Sequence, residues 1–340
     1  MKNIINKILS IRNIKTIPNE LFIPCGIISD LPDSFKTYYL EHDMYTKINA
    51  LKNNLDEHSV FIIENFLQKT LHLPDTKYSE IYKTSVEELE KIFDKPHEKL
   101  IRDEYFSNIP LYRERYKLPV DFYDVEVFYF HHGLRHSNSS LRSYIKNKDF
   151  IDAGAFIGDS VLVLLEYEPS KIYSFEISEK NVINYYKTMH MNNIDKTKYK
   201  LISKGLAEKE KTMYFNDVSG QGASLTKNGT SCINCIDLDS FVFRNNLHPG
   251  FIKADVEGNL FEVLLGAEKT IKKYRPVLSL AIYHNPKEFF ECKPLLEKFV
   301  YGLNYQLTIN SHHPFCDSIN GTVLWGYPKE LGLNNSFKYE

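Results

Sequence analysis

The segment from Phe150 to Ser160 joins a short apolar strand, an acidic residue, two glycines and a helix start. Asp152 ends the strand, Gly154 and Gly158 follow four positions apart, and Ser160 opens an apolar stretch with helical spacing. A strand, a tight turn and a helix N-terminus together allow a small ligand to contact the backbone. The segment therefore predicts a small-ligand site.

The spacing within this turn indicates which class of ligand it suits. A dinucleotide fingerprint, G-x-G-x-x-G, would have glycines where Phe156 and Asp159 stand, so a pyrophosphate would meet a ring and a carboxylate. The pattern D-x-G-x-x-x-G suits a ligand with cationic groups and no phosphates. S-adenosylmethionine, with its ammonium and sulfonium groups, fits that description. The cofactor-binding residues predicted in this segment are Asp152, Gly154, Phe156, Gly158, Asp159 and Ser160.

A second short apolar strand, from Lys171 to Phe175, ends in the carboxylate Glu176. Two glycines after a strand also occur in ordinary strand–helix turns, so the first motif alone leaves both interpretations open. A carboxylate about 20 residues further on is at the offset at which an acidic residue binds ribose hydroxyls. Glu176 therefore favours the cofactor interpretation and is predicted to bind the ribose.

The stretch from Phe251 to Gly258 is a strand with two carboxylates, Asp255 and Glu257, just past its end. Open α/β sheets bind ligands at this edge, although such carboxylates also cap helices. The next strand ends in His284, which would lie at the same edge. We predict His284 as the general base, with Asp255 or Glu257 as its substitute, and Asp255 also as a cofactor contact. A purely structural histidine is the alternative.

Histidines and cysteines elsewhere in the chain could suggest a metal site. Adjacent histidines in a strand point to opposite faces, so one ion rarely takes both members of a pair. A C-x-x-C sequence without a second pair does not complete a zinc site. We therefore predict that the protein has no metal site. The residues considered are His131, His132, His136, His312, His313, Cys232 and Cys235.

Strand-like and helix-like segments alternate from Ile151 onward, which predicts an α/β fold with a mostly parallel sheet. The predicted strands are 150–153, 172–176, 200–204, 251–255, 277–283, 305–309 and 322–327. The predicted helices are 160–167, 179–191, 259–273 and 288–300. An added β excursion is predicted at Thr212–Phe215 and Cys232–Phe241, around a flexible loop at Ser219–Gly222.

The first 120 residues show helical rather than alternating patterns. Apolar residues from Val60 to Leu71 have helical spacing and predict a helix that ends before Pro74. A capping box at Ser85 predicts another helix. The β-branched and aromatic stretch Asp124–Phe130 predicts a strand. We predict a mainly helical accessory or cap region at 1–120 and a cofactor-binding domain at 121–340.

The bulk composition excludes several classes of partner. The chain has 42 basic and 44 acidic residues and a net charge of −2, without the basic excess that nucleic-acid binding requires. Its five cysteines are scattered and odd in number, which favours a reducing compartment. We find neither an apolar run of membrane-spanning length nor a signal-peptide pattern. We expect a soluble, cytoplasmic protein without a nucleic-acid partner.

Taken together, these motifs resemble the FkbM family of S-adenosylmethionine-dependent methyltransferases. The resemblance extends from about Asp124 to Pro328. One departure is that Asn259 and Leu260 stand where a second Glu or an Ala-Glu pair usually follows the D-V-E-G glycine. The motifs that carry the resemblance are Phe150–Ser160, Tyr173–Glu176, Ile252–Ala267, and Arg275-Pro276 leading to Ile282–His284.

The resemblance implies a fold and a function. The fold is a Rossmann-like class I methyltransferase sheet, mostly parallel with an antiparallel edge strand. Asp152, Gly154 and Gly158 would bind the methionine part of the cofactor and Glu176 its ribose. The acceptor would be a sugar or glycan-precursor hydroxyl. The alternatives are an N- or carboxyl-methyltransferase of a small metabolite and a catalytically lapsed α/β scaffold. An oxidoreductase is disfavoured by the missing dinucleotide spacing.

Overall fold

Two β-sheets organise the chain in its computed structural model, which describes residues 31–71, 96–218, 222–225, 231–314 and 320–332. In chain order the described strands are β1 (Asp149–Ala153), β2 (Ile172–Phe175), β3 (Tyr199–Ile202), β4 (Gly205–Leu206), β5 (Lys211–Val218), β6 (Gly222–Leu225), β7 (Ser231–Ile236), β8 (Pro249–Ala254), β9 (Val277–Ala281), β10 (Tyr305–Ser311) and β11 (Thr322–Pro328).

The larger sheet has, among the described residues, seven strands in the order β10-β11-β9-β8-β1-β2-β3. Its neighbours pair in parallel except β11, which is antiparallel to both β9 and β10. The predicted fold class is confirmed, with the antiparallel strand next to the edge. The chain leaves β1 towards β2 and β3, and later continues from β8 on the other side of β1. Ligands of open α/β sheets bind where the strand order reverses in this way.

Helices cover the sheet on both faces, and β1, β8, β9 and β11 are buried at every residue. Continuous burial is typical of parallel strands between two helical layers. The described helices are α1 (Leu31–Glu41), α2 (Met44–Lys52), α3 (Glu57–Leu71), α4 (Pro96–Arg115), α5 (Val125–Phe128), α6 (Ser139–Ile145), α7 (Asp159–Leu164), α8 (Glu179–Met191), α9 (Leu238–Arg244), α10 (Leu260–Leu265), α11 (Glu268–Tyr274) and α12 (Pro286–Phe299). Short 3₁₀ turns lie at His131–His136, Leu165–Tyr167 and Lys329–Leu331.

The predicted β excursion occurs as the smaller sheet, whose order is β4-β7-β5-β6. Its predicted second part, Cys232–Phe241, is wrong beyond Ile236, because the side chain of Asp237 caps helix α9. Cys232 and Cys235 both lie on β7, where Cys232 is exposed and Cys235 is buried. Two residues three positions apart on a strand point to opposite faces. Of the predicted flexible loop, 219–221 lies outside the described residues and Gly222 begins β6.

The predicted strand at Asp124–Phe130 is wrong, because these residues begin a helix. The side chain of Asp124 accepts a hydrogen bond from the Glu126 N–H at 2.7 Å and caps α5. All four residues of α5 are buried. The capping carboxylate and tertiary packing therefore override the β propensity of Val125, Val127 and Phe128.

The predicted helix at 259–273 is two helices, α10 and α11, that meet at Gly266 and Ala267. A Cβ at Gly266 would lie 2.1 Å from the carbonyl oxygen of Ala207. The backbone before the smaller sheet thus passes directly against this break. Only glycine at position 266 allows the two backbones to come so close. The residue that imposes this requirement, Ala207, lies 59 positions earlier in the chain.

The N-terminal helices share a hydrophobic core with the large sheet. The ring of Phe66 on α3 stacks on Phe289 of α12 with centroids 3.8 Å apart, and Phe35 on α1 lies 5.3 Å from Phe66. The predicted helix ending before Pro74 is confirmed as α3, while the predicted helix at Ser85 lies outside the described residues. The domain boundary at residue 120 stays a prediction. In the described ranges, no helix has the length and apolar character needed to span a bilayer.

Candidate active site

A cavity of about 580 Å³ lies at the carboxyl edge of the large sheet. Ala153, Phe175 and Asp255 line it, at the ends of β1, β2 and β8, where the strand order reverses. Asp152, Gly158 and His284 are not among the described residues that line it. The predicted site residues that do line it are Gly154, Phe156, Asp159, Ser160, Glu176, Asp255 and Glu257.

Backbone contacts fix the glycine turn after β1. The N–H groups of Gly154 and Ala155 both donate to the carbonyl of Phe175, at 3.0 and 2.9 Å. Gly154 has φ +81°, and a Cβ there would lie 1.7 Å from the carbonyl oxygen of Asp255. Both facts require glycine at this position. Gly158 has φ +82° and stands at the N-cap of α7.

Asp152 lies beneath this turn rather than at the cavity surface, and it is fully buried. Its Oδ1 is 3.3 Å from Nζ of Lys253, and its Oδ2 accepts a bond from Ser174 at 3.2 Å. Lys253 Nζ also donates to the carbonyl of Gly154 at 2.5 Å. The ammonium group therefore connects the buried carboxylate to the turn. Direct contact of Asp152 with a cofactor remains a prediction.

Lys253 is charged despite its burial. Burial alone would lower its pKa, but the carboxylates of Asp152 and Asp255 outweigh that effect and raise the pKa above its ordinary value. Sequence analysis missed this residue. The available signal was a lysine inside an otherwise apolar strand, because a buried lysine needs a charged partner.

Glu176 connects the end of β2 to the turn after β1. Its Oε2 accepts the Phe156 N–H, and its Oε1 accepts the N–H groups of Ile177 and Ser178, each at 2.8 Å. Burial raises the pKa of this carboxyl, and the backbone donors oppose that rise. Oε2 accepts one backbone N–H, and the Asn181 side chain is a further hydrogen-bond partner of the carboxylate.

Asp255, Glu257 and His284 meet beside the cavity, as their places at one sheet edge predict. Nε2 of His284 is 3.1 Å from Oδ1 of Asp255 and 3.6 Å from Oε2 of Glu257. On the other side of the ring, Nδ1 is 3.3 Å from Oε2 of Glu288. Asp255 and Glu257 line the cavity, and the imidazole stands behind them.

The three carboxylates determine the electrostatics of this cluster. Burial alone would lower the pKa of His284, but the neighbouring carboxylates of Asp255 and Glu288 raise it well above its ordinary value. Burial raises the pKa of Glu257 to about 7. Both ring nitrogens of His284 therefore lie beside carboxylates. The contact with Glu288 could not be predicted from the sequence.

A second polar group in the cavity wall comes from residues that precede β1. Nε2 of His132 is 2.9 Å from Oγ of Ser160, and its Nδ1 is 3.4 Å from Oε1 of Glu126. Burial raises the pKa of Asp124 to about 7 and that of Asp159 to about 6. Sequence analysis did not assign Asp124, Glu126 or His132, because only tertiary packing brings them to the turn.

Two other histidines that were considered as metal ligands pack against aromatic rings. Nδ1 of His131 is 3.0 Å from the Tyr167 hydroxyl, and burial lowers the pKa of His131 to about 4. His312 stacks on Phe130 with ring centroids 4.9 Å apart. Its Nδ1 also lies 3.9 Å from Oε1 of Glu126, the same oxygen that His132 approaches.

The cavity is strongly acidic. Its described lining includes six carboxylates and two lysines, Lys204 and Lys253. The carboxylates are Asp124, Glu126, Asp159, Glu176, Asp255 and Glu257. This excess of negative charge fits S-adenosylmethionine, whose ammonium and sulfonium groups outnumber its carboxylate.

The sheet order and the position of the cavity at its reversal point define a class I methyltransferase fold. Residues 152–313 match the family model of the methyltransferase FkbM domain. These residues are similar to an FkbM methyltransferase domain, and the predicted resemblance is confirmed. Enzymes of this family take their methyl group from S-adenosylmethionine, so the predicted cofactor is confirmed as well.

A solved structure shows the same fold at low sequence identity. The methyltransferase FkbM from Methylobacillus flagellatus KT has a TM-score of 0.53 and 18% identity, over 83% of this chain and 58% of that protein. This chain thus spans little more than half of that protein's length.

Two further structures are more distant. An rRNA methylase from Streptococcus thermophilus has a TM-score of 0.35 and 16% identity, over 56% of this chain and 91% of that one. SMU.1697c from Streptococcus mutans, solved in complex with SAH, has a TM-score of 0.34 and 16% identity, over 55% and 93%. No curated protein matches the sequence.

Proposed function

We propose that the protein transfers the methyl group of S-adenosylmethionine to a hydroxyl group of a sugar, in a surface glycan, a glycan precursor or a related metabolite. The observation that carries this proposal is the pair of carboxylates, Asp255 and Glu257, in the cavity wall beside the Gly154 turn. A sugar hydroxyl is weakly acidic, so transfer to its oxygen needs a nearby group that takes the proton.

The cofactor is assigned to the half of the cavity formed by the turn after β1 and the end of β2. When bound, it supplies an electrophilic methyl group on sulfur. Glu176 accepts a ribose hydroxyl at Oε2, and the turn from Gly154 to Ser160, with Phe156 and Asp159, surrounds the methionine part. Asp152 acts from below, because it fixes Lys253 and Lys253 fixes the Gly154 carbonyl.

The acceptor proton passes to the cluster of Asp255, Glu257 and His284. The two carboxylates contact the cavity, whereas the imidazole lies behind them and has carboxylates at both ring nitrogens. Asp255 and Glu257 are therefore the groups that meet the hydroxyl directly. His284, the general base in our prediction from sequence, positions these two carboxylates.

The charge of the cavity favours a neutral hydroxyl over a carboxylate as the acceptor. A carboxylate acceptor would be repelled by the six acidic residues of the lining and needs no proton acceptor. The aromatic rings of Tyr105, Phe106 and Phe122 line the same cavity, and Phe106 is 51% exposed. They supply flat apolar contacts suited to the C–H face of a sugar ring.

The decisive experiment is incubation with isotopically labelled S-adenosylmethionine and cell-envelope glycan precursors, followed by mass spectrometry. We expect a gain of one labelled methyl group on a sugar oxygen, abolished in Glu257→Gln and retained in Glu268→Gln, an exposed helix position. Label on a nitrogen or a carboxylate would establish the alternative acceptor classes. Cofactor binding without transfer to any acceptor would indicate a catalytically lapsed protein.

The setting of this reaction is also part of the proposal. We place it in the cytoplasm and without a nucleic-acid partner, because the cysteines are scattered and the net charge is −2. Fractionation of the native host followed by immunodetection tests the location.

A further inference from the structure

The cluster of Asp255, Glu257 and His284 has the ligand geometry of a metal centre. One carboxylate oxygen from each acid and one ring nitrogen lie within 4.8 Å of one another. Nε2 of His284 is 3.1 Å from Asp255 Oδ1 and 3.6 Å from Glu257 Oε2. Ligands about 2.1 Å from an ion, at octahedral or tetrahedral angles, are about 3.0–3.4 Å apart. The observed separations are close to this range.

Buried polar atoms of the cluster lack hydrogen bonds. The His284 side chain is 10% exposed, and among the described residues neither ring nitrogen has a hydrogen bond of acceptable geometry. Asp255 Oδ1, which lies 3.1 Å from Nε2, is also buried without a hydrogen bond among the described residues. Buried polar atoms in folded proteins are normally satisfied. An ion between Nε2 and Oδ1 would satisfy both.

Glu288 supplies the outer contact that metal-binding histidines commonly have. Its Oε2 lies 3.3 Å from Nδ1 of His284, and its side chain is 1% exposed. Its other oxygen accepts the Leu260 N–H at 2.6 Å, which fixes the carboxylate. A carboxylate at this distance can accept the Nδ1 proton once an ion holds the ring, and the Nε2 lone pair is then available to that ion.

We propose that Asp255, Glu257 and His284 bind a divalent metal ion, with Glu288 orienting the imidazole. Two carboxylates and one imidazole form a mixed oxygen and nitrogen set, which suits Mn²⁺ and related first-row ions. The two negative charges match a divalent cation. Three protein ligands leave coordination positions open, and the two carboxylates line the cavity, so these positions face it.

The role of the ion rests on the function proposed above, whereas its binding does not. An acceptor hydroxyl at an open position would have its pKa lowered by the ion. The new C–O bond then forms as the C–S bond breaks, the sulfur keeps the bonding pair, and the hydroxyl proton leaves through the carboxylates to water. The ion would place a positive charge beside the developing oxyanion, which the two carboxylates cannot do.

The test is a Mn²⁺ titration of the chelator-treated full chain, followed by electron paramagnetic resonance of the free ion and by calorimetry. We expect one bound Mn²⁺ per chain. Asp255→Asn and His284→Ala should weaken binding at least about 100-fold, and Glu288→Gln about 10- to 100-fold. Glu291→Gln, on the same helix but paired with Lys47, should leave the affinity unchanged.

The inference is overturned if the wild-type chain binds no Mn²⁺, or if Asp255→Asn and His284→Ala bind it with unchanged affinity. Circular dichroism checks folding, and Glu257→Gln replaces any variant that does not fold. The proposed function fails separately. Methyl transfer undiminished in a chelator overturns the ion's role and leaves the methyltransferase intact. Mn²⁺ binding by a chain that methylates no acceptor overturns the function and supports the site.

Discussion

Lys253 is the charged residue on which the turn after β1 depends. Its ammonium lies 3.3 Å from Asp152 and 2.5 Å from the carbonyl of Gly154, and its side chain is 5% exposed. Breaking a buried ion pair by removing one partner costs more than the pair itself contributes, because the other charge stays buried. Lys253 therefore stabilises the fold and shapes the cofactor turn together.

Replacing Lys253 with methionine should destabilise the protein by about 3–5 kcal/mol, since Asp152 then lacks its partner in the core. The double variant Asp152→Asn/Lys253→Met should recover more than half of this loss. Chemical denaturation of both gives the free energies of unfolding. Lys200→Met, at an exposed position of β3, is the control. Equal stability of the single and double variants would show that the pair is not coupled.

Glu176 combines two tasks in one carboxylate, so its removal should have two effects. Glu176→Ala leaves three backbone N–H groups without their acceptor, and it also removes the carboxylate that we propose binds the ribose. We expect S-adenosylmethionine affinity to fall at least about tenfold, at about 1.5–3 kcal/mol per charge-assisted bond, together with a lower melting temperature. Calorimetry and thermal denaturation measure both effects. An affinity equal to that of Glu179→Ala, an exposed helix position, would place the ribose elsewhere.

At the scale of elements, the carboxyl group that caps α5 is buried beside another carboxylate. Asp124 caps the helix, but burial and the nearby Glu126 carboxylate raise the pKa of Asp124 to about 7. The folded state thus binds a proton that the unfolded chain, with a pKa of about 3.9, has already lost. The stability of the wild-type protein should therefore decrease as pH rises through about 7.

Asp124→Asn tests this directly, because the amide oxygen can still accept the Glu126 N–H. We expect its melting temperature, relative to the wild type, to increase from about pH 5.5 to about pH 8.5 by at least about 2 °C. Thermal denaturation of the ligand-free proteins across that range gives the difference. A constant difference at every pH would mean that Asp124 does not titrate there.

Elements defined by local pattern were predictable from the sequence, and those defined by distant contacts were not. The predicted strands of the large sheet all occur, because each is a short segment rich in apolar and β-branched residues between turns. Helix α5 escaped prediction since its β-branched residues are buried by packing. The break at Gly266 depends on the Ala207 carbonyl, and no local signal marks that contact.

The site shows the same division. The positions of Asp255, Glu257 and His284 at neighbouring strand ends follow from sheet topology, which the sequence indicates. Glu288 comes from the helix after β9, and Glu126 and His132 come from residues before β1, so only the folded chain brings them to the site. Their contacts decide the charge of the imidazole and the geometry of the cluster.

For the whole molecule, the N-terminal helices are part of the core rather than an attachment to it. Ser59 Oγ accepts the N–H of Ile309 on β10 at 2.8 Å, and both residues are fully buried. Lys293 on α12 is 1% exposed and donates to backbone carbonyls of Ala50 and Asn53 at the end of α2. Removing these helices would leave the buried N–H of Ile309 and the buried ammonium group of Lys293 without these hydrogen-bond acceptors.

A chain that begins at residue 121, the predicted domain boundary, should therefore fold poorly. Loss of Phe35 and Phe66 uncovers Phe289 and Phe290, which are at most 1% exposed, and removes the carbonyl partners of Lys293. Replacing a single buried phenylalanine with alanine lowers the free energy of unfolding by about 3–5 kcal/mol, which is a large part of the stability of a typical domain. We expect strong binding of a hydrophobic dye and no cooperative thermal transition, measured against the full chain. A truncated chain that melts cooperatively at the full-length temperature would instead establish residues 121–340 as an independent domain.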